Sequence, residues 1–242
     1  MIDSLVVLGN NLFRPGLSVE AAVASSSRLG LEGMVAAPAR DTDYSVVDAN
    51  DRLARDAEGH PGIRRLVRVD PNQGRAAENE LRRGITELGC VGLFLNPDEE
   101  VFRIQDAEPV VRVAAGLGIA TVIVAGVPLR SEALQILELS AKVPDARLIL
   151  SSGGQVNITG LGMADAWIAL ERNANIAVLS NGEYRQDYLE RIVRELGPER
   201  LLLGTMAPYY DRAFEIARIE NIAYSASDRA LVVGGNARRI FG

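Results

Sequence analysis

The feature that most constrains this chain is the recurrence of short, continuously apolar runs, each followed by a longer amphipathic stretch. The runs are Leu5–Leu8, Gly33–Ala37, Leu66–Val69, Val91–Leu95, Ala120–Val124, Arg147–Leu150, Ile176–Leu179 and Leu201–Leu203. Strands with one solvated face alternate apolar and polar residues; unbroken apolar runs mark strands buried on both faces, as in a parallel sheet. Helical periodicity fills the gaps: Val19–Leu29 behind Ser18, a helix begun by Asp43 or Ser45 and running to Ala57, then Ala76–Leu88, Ala107–Leu117, Glu132–Val143, Ala164–Asn173, Gln186–Leu196 and Asp211–Arg218. Gly30, Gly89, Gly118 and Gly197 follow four of these helices, where a residue tolerant of positive φ ends the helix.

Eight strands and eight helices in strict alternation predict an α/β protein, either a closed (β/α)8 TIM barrel or a doubly wound sheet. The 242 residues match the ~250 typical of one barrel. The turn after the first strand, Gly9–Phe13, has no G-x-G-x-x-G phosphate loop, which disfavours the dinucleotide-binding alternative. No linker or change of composition divides the chain, so residues 1–242 are read as a single barrel domain. Ser227–Gly242 form a C-terminal helical extension expected to pack across one end of the barrel, with Asn236 capping the terminal helix.

Charge and cysteine content narrow the partners. The net charge is −6, and the 25 Arg and one Lys are scattered among acids with no basic stripe; no nucleic-acid surface is expected. The amino-terminal residues lack a basic region and a long apolar run, so neither a leader peptide nor a membrane span is expected. Cys90 is the only cysteine, which rules out an intrachain disulfide. These features predict a cytoplasmic protein.

In a barrel of this kind, functional groups sit at the carboxyl ends of the strands. Taken in order, those ends carry Ile2-Asp3-Ser4-Leu5-Val6-Val7-Leu8-Gly9, Arg68-Val69-Asp70-Pro71, Gly92-Leu93-Phe94-Leu95-Asn96-Pro97, Ile123-Val124-Ala125-Gly126, Leu150-Ser151-Ser152-Gly153-Gly154 and Leu203-Gly204-Thr205-Met206-Ala207-Pro208, and the chain closes on Gly235-Asn236-Ala237-Arg238-Arg239-Ile240-Phe241-Gly242. This series resembles the amidohydrolase-related family of metal-dependent hydrolases and decarboxylases, in the same order and along essentially the whole chain. The resemblance implies an amidohydrolase-like TIM barrel. It also places that family's metal ligands at Leu5 and Val7 (its first-strand His-x-His), Val124, Ser152 (two further His) and Met206 (its eighth-strand Asp).

All five of those positions are substituted, four of them by apolar side chains. Zinc and related ions need imidazole, carboxylate or thiolate donors. Without them the chain has no Lewis acid and no acidified water, so the expectation is no metal and no cofactor. The family's Lys and His on the fourth strand correspond to Phe94 and Asn96. A shifted alignment cannot rebuild a multi-histidine site, because the only histidine is His60, in a loop before the third strand and so on the face away from the mouth.

The predicted mouth is polar. Asn10, Phe94, Asn96, Ser151, Asn181, Thr205 and Tyr209 are candidate pocket residues. Arg40 is a candidate clamp for a carboxylate or phosphate, and Glu183 or Asp211 a candidate base if desolvated. Most such rim residues serve as caps and solvated turns. Asp70 is read as ordering the turn into the next helix. Ser151–Gly154 offers backbone N–H groups to an anion or is simply a tight turn. Ser152 has no His to activate it, Cys90 lies on the wrong face for a nucleophile, and Trp167 reads as core.

Three functions compete. The first is a non-catalytic protein, a pseudoenzyme serving as structural or regulatory subunit of a hetero-oligomer with a catalytic amidohydrolase-type subunit; self-association is the other option. The short loops, which leave little chain for a lid, favour it. The second is a metal-independent hydrolase, lactonase or decarboxylase acting on a small carboxylate or cyclic substrate. The third is a small-molecule binding protein. Fold alone does not choose among them.

Overall fold

The computed structural model describes residues 1–12, 14–155 and 160–242; Phe13, the last residue of the Gly9–Phe13 turn, lies outside them. Eight strands, β1 (Ile2–Leu8), β2 (Gly33–Pro38), β3 (Ile63–Arg68), β4 (Gly92–Leu95), β5 (Ala120–Ile123), β6 (Arg147–Leu150), β7 (Ile176–Leu179) and β8 (Leu201–Leu202), pair in sequence order. Every pairing is parallel, from Ile2 opposite Gly33 to Leu179 opposite Leu202. The residues after β8 complete the ring: Ser4 N–H donates to Leu203 O (2.8 Å), Met206 N–H to Leu5 O (2.7 Å) and Val7 N–H to Ala207 O (2.8 Å). The barrel is therefore closed by the loop end of its last strand, well beyond the two residues of regular β8.

Between the strands run α1 (Val19–Arg28), α2 (Val46–Asp56), α3 (Arg75–Thr86), α4 (Glu108–Gly116), α5 (Ala133–Lys142), α6 (Gly160–Arg172), α7 (Gln186–Arg191) and α8 (Arg212–Glu220). Local signals explain their starts. Ser18, Ser45 and Asp211 accept from the N–H groups of Ala21, Asp48 and Phe214 and so satisfy donors that the first helical turn leaves free. Ser45, rather than Asp43, caps α2; Asp43 instead accepts from the Ser45 N–H (2.9 Å). Asp70 accepts from Asn72 N–H (3.0 Å) and orders the Pro71–Gln73 turn before α3. The predicted helix to Leu196 holds as α7 only to Arg191 and finishes in a wider π turn, Ile192–Leu196.

Two apolar layers follow from the strands' two-residue period. Outward residues such as Val67, Leu93 and Leu148 meet the helices in one large cluster, with Leu81 of α3 fully buried against it. Each such fully buried Leu is worth about 1.5–3 kcal/mol. The approach of α3 to β3 depends on Gly84, where a Cβ would lie 2.5 Å from Val67 Cγ2. Inward residues, among them Leu5, Val7, Leu66, Phe94, Val122 and Leu202, fill the lumen.

The C-terminal segment forms α9 (Ala226–Ala230), a π turn and α10 (Asn236–Phe241). It covers the amino-terminal end of the barrel: Phe241 joins the lumen cluster, and Leu203 N–H donates to Val232 O (2.9 Å). Asn236 does not cap the terminal helix. Gly235 holds that position, and the buried Asn236 amide instead bridges Pro198 O (2.8 Å) and Leu201 O (2.9 Å). A side chain inside the barrel end answers one carbonyl of the turn before β8 and one at the start of β8, a task that sequence position alone does not reveal.

Candidate functional site

The mouth lies at the carboxyl ends of the strands, where alternation continues past the last regular pairs. Leu66 and Arg68, Phe94 and Asn96, and Val122 and Val124 share the inward face two by two. A cleft of about 540 Å³ opens there between Asn96, Val124, Ser152, Met206, Tyr209 and Glu99, with Arg14 and Tyr210 at its edge. This volume suits a small organic molecule.

The floor is where the resemblance implies a metal. Leu5, Val7 and Met206 belong to the lumen cluster, with Val124 packed against it. Ser152 is buried at the start of the turn after β6. Asn181 ties two of these positions together, donating through Nδ2 to Ser152 Oγ (3.3 Å) and towards Met206 Sδ (3.5 Å). Ser152 and Met206 both adopt left-handed backbone, at φ 55° and 51°, a conformation that costs a non-glycine residue energy. The side chains do not fit a hydrolytic metal. Three of the five have no donor atom, Met206 offers a soft thioether, and among the described residues no three His, Cys, Asp or Glu side chains come together to hold an ion.

Beside this apolar floor stands a buried ionic network. Arg68, fully buried at the end of β3, donates through Nε to Glu100 Oε1 (2.9 Å), through Nη1 to Pro38 O (3.0 Å) and through Nη2 to Glu99 Oε2. Its guanidinium lies 5.5 Å from the Phe94 ring centroid. Arg40 reaches the same Glu100 oxygen (3.0 Å). Burial raises the Glu100 carboxyl above its ordinary range, against the pull of Arg68 and Arg40. Glu99 faces the cleft, where its Oε1 accepts from the Tyr209 hydroxyl, and Asn11 Nδ2 donates to the same tyrosine oxygen (2.9 Å). Burial, then the neighbouring Glu99 charge, pushes the Tyr209 hydroxyl well above its usual range. Arg14 stacks on the outer face of Tyr209, 5.3 Å from the ring centroid.

The other candidates fall elsewhere. Asn10 lines a second cleft, between β1, β2 and the first two helices. Ser151 Oγ accepts from Ala125 N–H (3.1 Å) and stitches two strand ends together. Thr205 is bound to Asp3 through its N–H (2.9 Å) and Oγ1 (2.7 Å). Glu183 is desolvated, but Gln155 Nε2 and Arg185 N–H occupy its two oxygens (each 2.7 Å), which makes it a turn anchor. Asp211 caps α8. Arg40 is held by Glu100 and lies outside the cleft lining. Most N–H groups of the Ser151–Gly154 turn are already bonded: Ser152 N to Asn181 Oδ1 (3.4 Å), Gly154 N to Ser151 O (2.9 Å), and the following Gln155 N to Ser152 O (3.0 Å). It is a tight turn held by its own backbone bonds.

Cys90 is buried, its thiol pushed up to about 11 by that burial. Trp167 packs on the outer cluster beneath Arg191. His60 stands at the barrel's opposite end, beside Glu32 and Gly62. Residue patterns assigned no role in the site to Arg68, Glu99, Glu100 or Arg14. One usable signal was present: an arginine closing an otherwise apolar inward row must find buried acids, and Glu99–Glu100 follow the next strand.

Fold and chain-wide similarity agree on the family. The amidohydrolase family profile matches residues 16–242, and the chain belongs to that family. No curated protein matches the sequence significantly. Among solved structures the chain is similar to 5-carboxyvanillate decarboxylase from Sphingomonas paucimobilis (TM-score 0.75, 16% identity, covering 99% of this chain and 97% of that one). It is also similar to a dihydroxybenzoic acid decarboxylase from Polaromonas sp. JS666, solved with bound manganese and the inhibitor 2-nitroresorcinol (0.75, 18%, 99% and 95%). An amidohydrolase from Burkholderia multivorans with bound HEPES is a third (0.79, 15%, 99% and 98%). Such identities establish the shared barrel. Among the described residues no helix is long and apolar enough to cross a membrane.

Proposed function

We propose that this protein binds a small oxygen-rich molecule, such as a hydroxylated or cyclic carboxylate, in the barrel mouth and acts on it without a metal ion, as a metal-independent decarboxylase or hydrolase of the cytoplasm. The observation that carries this reading is the cleft itself. Its floor is apolar at Val124 and Met206, while its walls present Asn96, Ser152, Glu99 and Tyr209, with the Arg14 cation at the edge. An apolar floor with a few convergent polar groups is the usual make-up of a small-molecule site. The decarboxylases among the structural relatives act on small carboxylates, which favours turnover over mere retention of the fold.

The test is direct. Purified protein is screened with hydroxybenzoates, lactones and cyclic amides, with CO2 and acid release followed in the presence and absence of a chelator. Chelator-insensitive turnover supports the reading. Turnover that disappears with the chelator and returns with manganese would overturn it.

A second reading rests on a different observation. The rim formed by the strand-end loops exposes large apolar side chains, among them Tyr44, Val101, Leu129 and Tyr184. A pseudoenzyme docked by that rim against a catalytic relative, or against its own copy, would cover them. Co-expression with a metal-binding relative encoded nearby, followed by mass measurement, separates this reading from the first.

A further inference from the structure

From the ionic network we propose that Tyr209 and Glu99 form a proton-transfer pair, in which Tyr209 meets the ligand and Glu99 receives the proton. The proposal deepens the mouth-cleft reading above and rests on it.

The geometry is that of a relay with a fixed far end. Glu99 has two oxygens with different duties. Oε2 is anchored by Arg68, a residue with no solvent exposure, and Oε1 accepts the Tyr209 hydroxyl proton. Tyr209 is oriented from its other side by Asn11 Nδ2 (2.9 Å) and from above by the Arg14 guanidinium. Both partners of the pair line the cleft. No metal-bound water is needed, because the acceptor is a carboxylate oxygen held in place by Arg68, and burial keeps the tyrosine hydroxyl protonated across the neutral range.

A ligand hydroxyl placed against Tyr209 Oη gives its proton to that oxygen as the original Tyr209 proton crosses to Glu99 Oε1. The O–H bond of the ligand breaks, a new O–H bond forms on Glu99, and Tyr209 ends neutral as it began. The products are a ligand oxyanion and a neutral Glu99 carboxyl. Arg14 lies where it can face the new oxyanion, and Glu100 remains as the counter-charge for Arg68. The reverse transfer delivers a proton to the ligand. The residue that touches the ligand is Tyr209; Arg68 and Asn11 are positioning residues.

The relay predicts a spectroscopic signature. Nitrophenols change colour on ionisation, so 2-nitroresorcinol and 4-nitrophenol serve as probes, with affinity measured separately by calorimetry. With wild-type protein the bound probe should ionise at a pH at least one unit below the free probe, roughly a tenfold shift in its acid equilibrium. Tyr209→Phe leaves the Arg68–Glu99 pair intact and should lose the shift, its loss of affinity being read separately by the calorimetry. Glu99→Gln, checked for folding by its melting temperature, should lose it too. Calorimetry in buffers of different ionisation enthalpy should show that no proton is released to solvent by wild type, since Glu99 retains it. A shift that persists in both variants overturns the relay and leaves the binding site standing. If wild-type protein binds neither probe, the ligand-site reading falls and the relay falls with it.

Discussion

Two buried ion-pair networks lie within this barrel, and their ends differ. In the first, Asp3 of β1 is fully buried. It accepts from Thr205 N–H (2.9 Å), Thr205 Oγ1 (2.7 Å) and Arg212 Nε (2.8 Å), while Arg212 Nη1 continues to Ala22 O (2.9 Å). Residues some two hundred positions apart are joined at the seam where β8 meets β1, and the network lines neither of the clefts at the loop end of the barrel. In the second, Arg68 binds Glu99 and Glu100 just as tightly, but Glu99 and its partner Tyr209 face an open cleft. The chemistry is the same in both. A network that terminates inside the protein holds strands together; one that terminates at a cavity has a group left with which to meet a ligand.

The largest effect should come from breaking the closed network. Asp3→Ala leaves Arg212 buried without its anion, and removing one partner of a buried pair costs about 3–5 kcal/mol. Denaturant unfolding should show that loss, with the seam between β1 and β8 losing hydrogen-exchange protection first. A cost under about 1 kcal/mol would mean that Asp3 does not close the barrel.

Met206→Asp probes the apolar floor between the two networks. It places a carboxylate among lumen side chains, with Asn181 as its nearest donor. The expected cost is roughly 2–4 kcal/mol at neutral pH. Burial raises such a carboxyl, so folded protein holds the proton more tightly than unfolded protein. The deficit should therefore shrink as pH falls towards the ordinary carboxylate range. Added zinc or manganese should not restore the melting temperature, because a single carboxylate does not make a site. Metal-dependent recovery would contradict the unsuitability of the floor.

The contrast between the networks also marks what the sequence made legible. Strand positions were readable because both-face burial leaves a simple trace, the unbroken apolar run: β6 and β7 lie at the predicted residues, and the other strands differ by a few positions at their ends. Helix starts were readable at Ser18 and Ser45 because capping is local. The networks were not, because their meaning depends on residues far apart. Asp3 looks like an ordinary strand-start residue until Arg212 is placed beside it. Glu99 and Glu100 look like a solvated loop until Arg68 is seen to end its strand between them. Glu183, a candidate base if desolvated, was misjudged for the same reason: it is buried, but the Gln155 amide that occupies its oxygen is set by the fold and not by local sequence.

A smaller effect should follow from Arg40→Met, which weakens the open network without opening its cleft end. Glu100 keeps Arg68 but loses its second cation, and its Oε2 has no hydrogen-bond partner among the described residues. A cost of about 1–2 kcal/mol at pH 7 is expected, since one strong partner remains. The sign of its pH dependence is fixed by Glu100, whose carboxyl is already raised by burial. A raised acid contributes stability below its unfolded value that is lost as pH rises through the folded one. Removing Arg40 raises it further, so the difference from wild type should be smallest near pH 4 and grow towards neutrality. A deficit independent of pH would show that Arg40 acts through packing alone.

The smallest effect on stability should accompany one of the largest on binding. Arg14 is exposed, forms no ion pair among the described residues, and touches the site by stacking over Tyr209 at the cleft edge. Arg14→Ala should leave the melting temperature unchanged, as exposed substitutions away from buried networks usually do. If the cleft takes an anionic ligand, the same change removes the cation that lies across its edge, and affinity for a hydroxybenzoate should fall about tenfold. The loss should diminish at high salt, where an exposed cation is screened. Arg14→Lys keeps the charge but not the planar face that stacks on the ring, so it should recover only part of the affinity. Asp3→Ala would then be a variant that loses stability while its folded molecules keep the cleft, and Arg14→Ala one that folds fully but holds an anion about tenfold more weakly. If Arg14→Ala binds as tightly as wild type while Glu99→Gln does not, recognition lies with the buried end of the open network and Arg14 only covers Tyr209.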